Sequence, residues 1–238
     1  MATRSLNELI YEIIDLYRAS IKVTDPLDER SVITWIQHTR AKLLKQRFDE
    51  PFVPIDEHNI QSLDAVELAL SDSAKDGYFM DFPKSNHKIL RTVNPLPSTI
   101  NRRNNIGTFT RIGFIDMYQP VINMVTRERA LVSGNGKFNQ DTVYAFLDGK
   151  RMYFVCKNHL CNNVQYVNIK GVFANPIEAY EFVNGVGSYN WDNEYPISES
   201  IVTDMKAMIL KDNFSFVLTQ LQDESNNASN DMVNLRVK

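Results

Sequence analysis

Cysteine is nearly missing from this chain: there are two among 238 residues, Cys156 and Cys161. With His159 between them they hold some zinc-ligand types, but the spacing departs from zinc motifs and there is no second, distant pair to complete a site. The plainer reading is a turn with small apolar residues at both ends. A cross-turn disulfide is geometrically possible but disfavoured in a reducing compartment. Glycine and proline number nine each, too few for a fibrous or low-complexity chain. No apolar run approaches the roughly 20 residues of a membrane span, so no membrane partner is expected. The first residues, Met1-Ala-Thr-Arg-Ser-Leu-Asn, contain no apolar signal core, which predicts a protein made in the cytosol. The formal net charge is −3 and the pI about 5.8, so the chain as a whole has no basic balance for wrapping nucleic acid.

Recognisable reaction signatures are also missing. Ser133-Gly-Asn-Gly-Lys137 has too short a glycine spacing for a phosphate loop, and Lys137 is followed by Phe138 instead of Ser or Thr. Asn184-Gly-Val-Gly-Ser188 follows a helix-like segment, whereas a dinucleotide loop follows a strand. His38, His58, His87 and His159 are scattered, none pairing with a carboxylate at helical spacing. No G-x-S-x-G or H-E-x-x-H occurs. A triad assembled from distant positions leaves no such trace. The expectation is a protein without a catalytic, cofactor or metal site. The glycosylation sequons at Asn213 and Asn227 carry no meaning without secretion.

What is present is patterning. Ser5 and Glu8 stand as a capping box before Leu6, Leu9, Ile10, Ile13, Tyr17 and Ile21, a single helical stripe ended by Asp25-Pro26. Asp28 can cap a second helix reaching about Phe48, with Val32, Ile33, Trp35, Ile36, Leu43 and Leu44 apolar. The short connection reads as a helical hairpin. From Pro51 the period falls to two: Val66, Leu68 and Leu70 alternate with Glu67 and Ala69. Ile106 to Met117 is strand-like. Thr142–Phe146 and Met152–Cys156 flank the hairpin signal Asp148-Gly149, and Val164–Phe173 reads as the third strand of a meander. The segment around 82–105, rich in Pro and Asn, reads as an extended arm. In "GVFANPIEAY" (171–180), Asn175 can cap a helix whose first position is Pro176. Pro196 precedes a last helix bearing Ile201, Met205, Met208 and Ile209, with Ser198 as a candidate cap. These features predict an α+β fold with an N-terminal helical hairpin (1–50), a central antiparallel β-sheet region with an arm (51–174), a helical region (175–222) and a flexible tail (223–238).

The second helix also carries His38, Arg40, Lys42, Lys45 and Arg47. Cations late in a helix offset its negative end, by about 0.3–1 kcal/mol each. One functional reading makes 28–48 a DNA-reading helix in a DNA-binding or regulatory protein. The other makes it an assembly interface, with Arg40 and Arg47 pairing acidic partners and Trp35 serving as core or anchor.

Taken in order, the capped first helix, "ITWIQHTRAKLLKQRF" (33–48), "IQSLDAVELALSDS" (60–73), "GVFANPIEAY" and "YPISESIVTDMKAMIL" (195–210) before "LQDESNNASND" resemble ring proteins of the tail barrel of short-tailed, crAss-like bacteriophages. More specifically, the pattern is similar to the head-to-tail adaptor ring. The resemblance covers most of the chain and is weakest from about 75 to 140. It implies a purely structural virion protein of the head–tail junction or tail barrel, assembled in the host cytoplasm. It further implies a ring of twelve copies that meets the portal and other tail rings and extends the DNA channel, without sequence-specific DNA contact. It brings no catalytic or metal residues.

Overall fold

Ser5 accepts the Glu8 N–H at 3.2 Å while the Glu8 carboxylate accepts the Ser5 N–H at 3.1 Å, so the expected capping box starts helix α1, Leu6–Ile21. The computed structural model of the protein describes residues 4–21, 27–50, 55–71, 89–101, 108–115, 122–132, 142–155 and 164–212. The elements fall into two units, one drawn from Met1–Leu43 and Trp191–Lys238, the other from Leu44–Asn190.

In the first unit α1 buries Leu6, Leu9, Ile10, Ile13 and Ile14. Helix α2 (Glu29–Asp49) starts at Asp28, whose side chain accepts the Arg30 N–H and whose carbonyl accepts those of Ser31 and Val32. Over the part within this unit it buries Val32, Ile36 and Leu43. A late helix over 199–212 buries Ile201, Val202, Met205 and Ile209, and its first turn closes on the Ser198 carbonyl. The 4–7 segment is stitched to the 191–195 segment: Asn7 N–H donates to Trp191 O, Tyr195 N–H donates to Arg4 O, and Ser5 bridges Glu194.

The second unit is a seven-stranded sheet. Its strands are β1 (Gln61–Ser71), β2 (Ile89–Thr92), β3 (Phe109–Phe114), β4 (Asn123–Met124), β5 (Tyr144–Asp148), β6 (Arg151–Val155) and β7 (Tyr166–Gly171), in the order β3-β7-β1-β2-β6-β5-β4. All pairs are antiparallel except β4 with β5. Ile122, just before β4, donates to Ile112 O in β3 at 2.9 Å, so the sheet curls until its two end strands meet. Inside the curl lie Leu63, Val66, Leu68, Leu90, Ile112, Ala145, Met152, Phe154, Val167 and Ile169, drawn from six strands. Alternation along the strands, rephased in β1 by a bulge between Leu63 and Val66, puts these side chains on one face.

Two details differ from the sequence reading. The β5–β6 hairpin forms around Gly149 (φ 62°), but β7 does not extend it as a meander; β7 lies between β3 and β1. The place beside β6 is taken by β2, from the stretch read as an arm. That stretch is described from 89 to 101, and its Leu96 and Ile100 are buried. Four strand residues are too few to show a period among neighbouring Pro and Asn. The tail 223–238 and the Cys156–His159–Cys161 turn lie outside the described residues, as does Ser133–Lys137.

The 171–180 junction forms as its residues predict. Asn175 Oδ1 accepts the N–H groups of Ile177 and Glu178, and Pro176 opens α4 (Pro176–Asn184). Gln61 of β1 donates to Pro176 O at 3.0 Å, which ties the helix start to the sheet. A Cβ on Gly171 would come to 3.0 Å from Thr108 O, so a larger residue here would push the backbone leading into β3 away from β7.

Candidate assembly surface

Arg40 is fully buried on α2. Its Nε donates to Pro196 O at 2.8 Å, and its guanidinium lies 5.8 Å from the centroid of the Tyr195 ring. A buried cation needs such partners, because desolvation without them costs several kcal/mol. Burial in turn pushes the Tyr195 phenol up to about 12, against the opposing pull of the Arg40 charge. Arg40 therefore fixes the 195–196 segment to α2 within this unit. Tyr195 and Pro196 as its seat were not foreseeable from composition, although "YP" directly precedes the helix-start signal.

Trp35 is half-buried and lines a shallow hollow of about 390 Å³ with Thr34, His38, Thr39, Lys42 and Asp212. Lys42 pairs with Asp212 at 3.2 Å, so this cation also faces protein. Arg47 is half-buried in the last turn of α2 and belongs to the sheet-bearing unit, whereas Trp35 and Arg40 belong to the other. With Arg40 turned inward and Lys42 paired, the basic run of 38–47 does not present all its charges to a DNA backbone.

A second cluster joins α1 to the late helix. Arg4 grips Glu199 with two hydrogen bonds, 2.9 Å from Nε and 2.6 Å from Nη2, and also meets Glu12. Lys206 pairs with Glu12 from the other side. The hydrogen bond to Glu199 is the main influence raising the Arg4 pKa. Burial alone would push Glu12 up, but Lys206 and Arg4 more than offset it and hold the carboxyl below its ordinary range. Nearby, Ser5, Asn7, Glu8, Tyr11, Asp192 and Glu194 line an open hollow of about 380 Å³.

On the sheet, register places Lys170 of β7 between Ser62 of β1 and Arg111 of β3. Both cations are exposed. Such a pair becomes visible only once strand register is known. The next row holds a bulge: Asp64 and Ala65 together oppose Asn168, whose Oδ1 accepts the Ala65 N–H at 2.9 Å.

Among the described residues no group of three or more His, Cys, Asp or Glu side chains is placed to hold a metal ion. No described helix is long and apolar enough to cross a membrane. The arrangement offers charged clusters, half-buried aromatics and rigid junctions, the materials of protein–protein contact.

Comparison with known proteins gives these surfaces a context. The chain is 27% identical to Ring protein 2 of Bacteroides phage crAss001 over 239 residues, an alignment covering 97% of this chain and 99% of that protein. Residues 8–232 match the family model described as phage tail ring protein 2. On that match, which takes in both structural units, the chain belongs to the crAss-type phage tail ring protein 2 family.

Proposed function

We propose that the protein is a structural subunit of a closed ring in the phage tail, twelve copies to the ring, that joins the portal to the later tail rings and extends the channel through which DNA passes. A structural tail-ring role and a place in the virion follow from the family. Support for the rest comes from family resemblance and from assembly physics. Identical subunits joined head to tail close into a ring when their rotation divides the circle, and grow into a filament otherwise. Permanent interfaces of that kind commonly bury about 2,000–5,000 Å². The observation that carries the proposal is the match to a ring-protein family over residues 8–232.

Trp35 and Arg47, both half-buried, are the proposed contact residues on α2. Arg40 contributes from inside by holding α2 on the 195–196 segment. Electron microscopy of the purified protein, alone and with portal, tests the reading by counting subunits. A twelvefold ring seated on the portal is the expected image. A particle reconstruction with this protein absent from between head and tail would remove the proposed position, and a different symmetry would remove the copy number.

A further inference from the structure

Lys170 and Arg111 stand directly opposite each other on adjacent strands, both exposed. Neither has an acidic partner among the described residues. Like charges facing each other across a ladder destabilise the sheet that bears them. In the next row Gly113 faces Asn168, and a Cβ at Gly113 would meet nothing within 4 Å. Glycine brings no side chain to overhang the cations from that position. The two cations are open on the β3 side, and on the β1 side they are bordered by Ser62 and by the Asp64 carboxylate that Ser62 holds at 2.6 Å.

The same chain carries a complementary feature in its other unit. The hollow lined by Ser5, Asn7, Glu8, Tyr11, Asp192 and Glu194 has three carboxylates and, among the described residues, no cation in its lining. Two of the carboxylates are held in place, Glu8 by the Ser5 N–H and Asp192 by the Asn7 amide at 2.9 Å. Each keeps further acceptor capacity, since a carboxylate offers about four lone-pair sites. Tyr11, 55% exposed, adds a ring face of the kind that attracts guanidinium and ammonium groups. A head-to-tail ring needs two different, mutually complementary surfaces on one chain.

Resting on the ring reading above, we infer that Arg111 and Lys170 of one copy dock on the Glu8–Asp192–Glu194 hollow of the next copy. A second copy is favoured over nucleic acid as the occupant because the complementary surface is on the chain itself and the net charge is −3. Two cations would release few counterions from DNA. Contacts of this sort orient partners and suppress wrong ones more than they add affinity.

Charge exchange tests the pairing. Arg111→Glu with Lys170→Glu forms one variant, Asp192→Lys with Glu194→Lys a second, and all four changes a third. Assembly is read by light scattering after gel filtration, alone and with portal, and folding by near-UV circular dichroism. Each double variant should lose the ring species while staying folded, and the fourfold variant should regain it. If reversal unfolds the sheet, Arg111→Gln with Lys170→Gln should still lower the ring population at least tenfold. Rings from either double variant at the wild-type level overturn the inference, as does a folded fourfold variant that stays monomeric. A cation-reversed variant that assembles normally but loses retention of duplex DNA would assign the patch to DNA instead. A wild-type chain that never assembles, even with portal, sinks the ring reading itself and takes this inference with it.

Discussion

The Arg40 guanidinium lies 5.8 Å from the Tyr195 ring centroid, and both side chains are buried. A cation on a basic helix thus holds the chain together from within. Arg40→Ala removes the donor to Pro196 O, the ring contact and the buried stem. Combining a lost buried hydrogen bond with a cavity predicts a loss of about 2–4 kcal/mol in urea unfolding. Arg40→Glu should be worse, since it buries an unpaired anion against a carbonyl. An Arg40→Ala loss below about 1 kcal/mol would mean that the guanidinium does not anchor this segment.

Tyr195 supplies a pH signature. Burial pushes its phenol up to about 12, against an ordinary value of 10. Above pH 10 the unfolded chain loses this proton while the folded chain keeps it, so stability falls as pH rises from about 10 to 12 and is fully present below 10. A rise of that size corresponds to roughly 3 kcal/mol at most. Its hydroxyl is buried without a hydrogen-bond partner among the described residues. Tyr195→Phe should therefore cost little at pH 7, within about 1 kcal/mol, and flatten the alkaline decline. The measurement is the difference between the two unfolding profiles, which cancels the contribution of Tyr153, also raised by burial.

Glu12 gives the opposite sign. Burial alone would raise it, but Lys206 and Arg4 hold its carboxyl below the ordinary value of 4.5. Its stabilisation is present above that value and is lost as pH falls through the lowered folded pKa. Glu12 is 39% exposed at the side chain, so solvent screening keeps the effect to about 1 kcal/mol. Glu12→Gln should lose that much at pH 7, converge on wild type in acid, and narrow the gap at high salt. A gap that persists unchanged at low pH contradicts the ion-pair account.

Local rules made the capping box at Ser5–Glu8, the Asn175 cap and the β5–β6 hairpin legible, because each depends on residues within a few positions of one another. The α+β class followed from the change of period near residue 60. Strand order was hidden, because the partner of β7 is chosen by burial of Val167 and Ile169 against Leu63 and Val66, far away in sequence. The inward turn of Arg40 was hidden for the same reason: its seat is more than 150 residues away. On α2 alone, a guanidinium that will be buried carries the same sequence signal as one that stays in water.

The Asn175 cap has a further consequence. Its side chain satisfies two N–H groups at the start of α4, and Gln61 ties the Pro176 carbonyl to β1. Asn175→Ala should cost about 1 kcal/mol, and Asn175→Asp much less, because an anion also suits a helix N-terminus. Equal losses for the two variants in urea unfolding would show that something other than capping fixes Asn175.

Ala65 is the non-glycine residue with positive φ among those described, at 53°. For an L-residue the left-handed region costs roughly 1–2 kcal/mol. The strain serves register. Leu63 pairs with Ile169 and Val66 with Val167, so Asp64 and Ala65 share the place opposite Asn168. Strict alternation from Leu63 would turn Ala65 inward and Val66 outward; the extra residue rephases β1 so that Leu63, Val66 and Leu68 are all buried. Because Ala65 is exposed, changes there test the backbone without disturbing the core. Ala65→Gly relieves the strain but loosens the unfolded chain by about 0.4–1 kcal/mol, so it should be neutral or stabilising by up to about 1 kcal/mol. Ala65→Val places a β-branched side chain where that conformation is least tolerated and should lose about 2 kcal/mol or more. The stability order Gly at or above Ala, with Val well below, is read from urea midpoints at constant slope. Valine tolerated as well as alanine would mean that β1 does not carry the left-handed bulge.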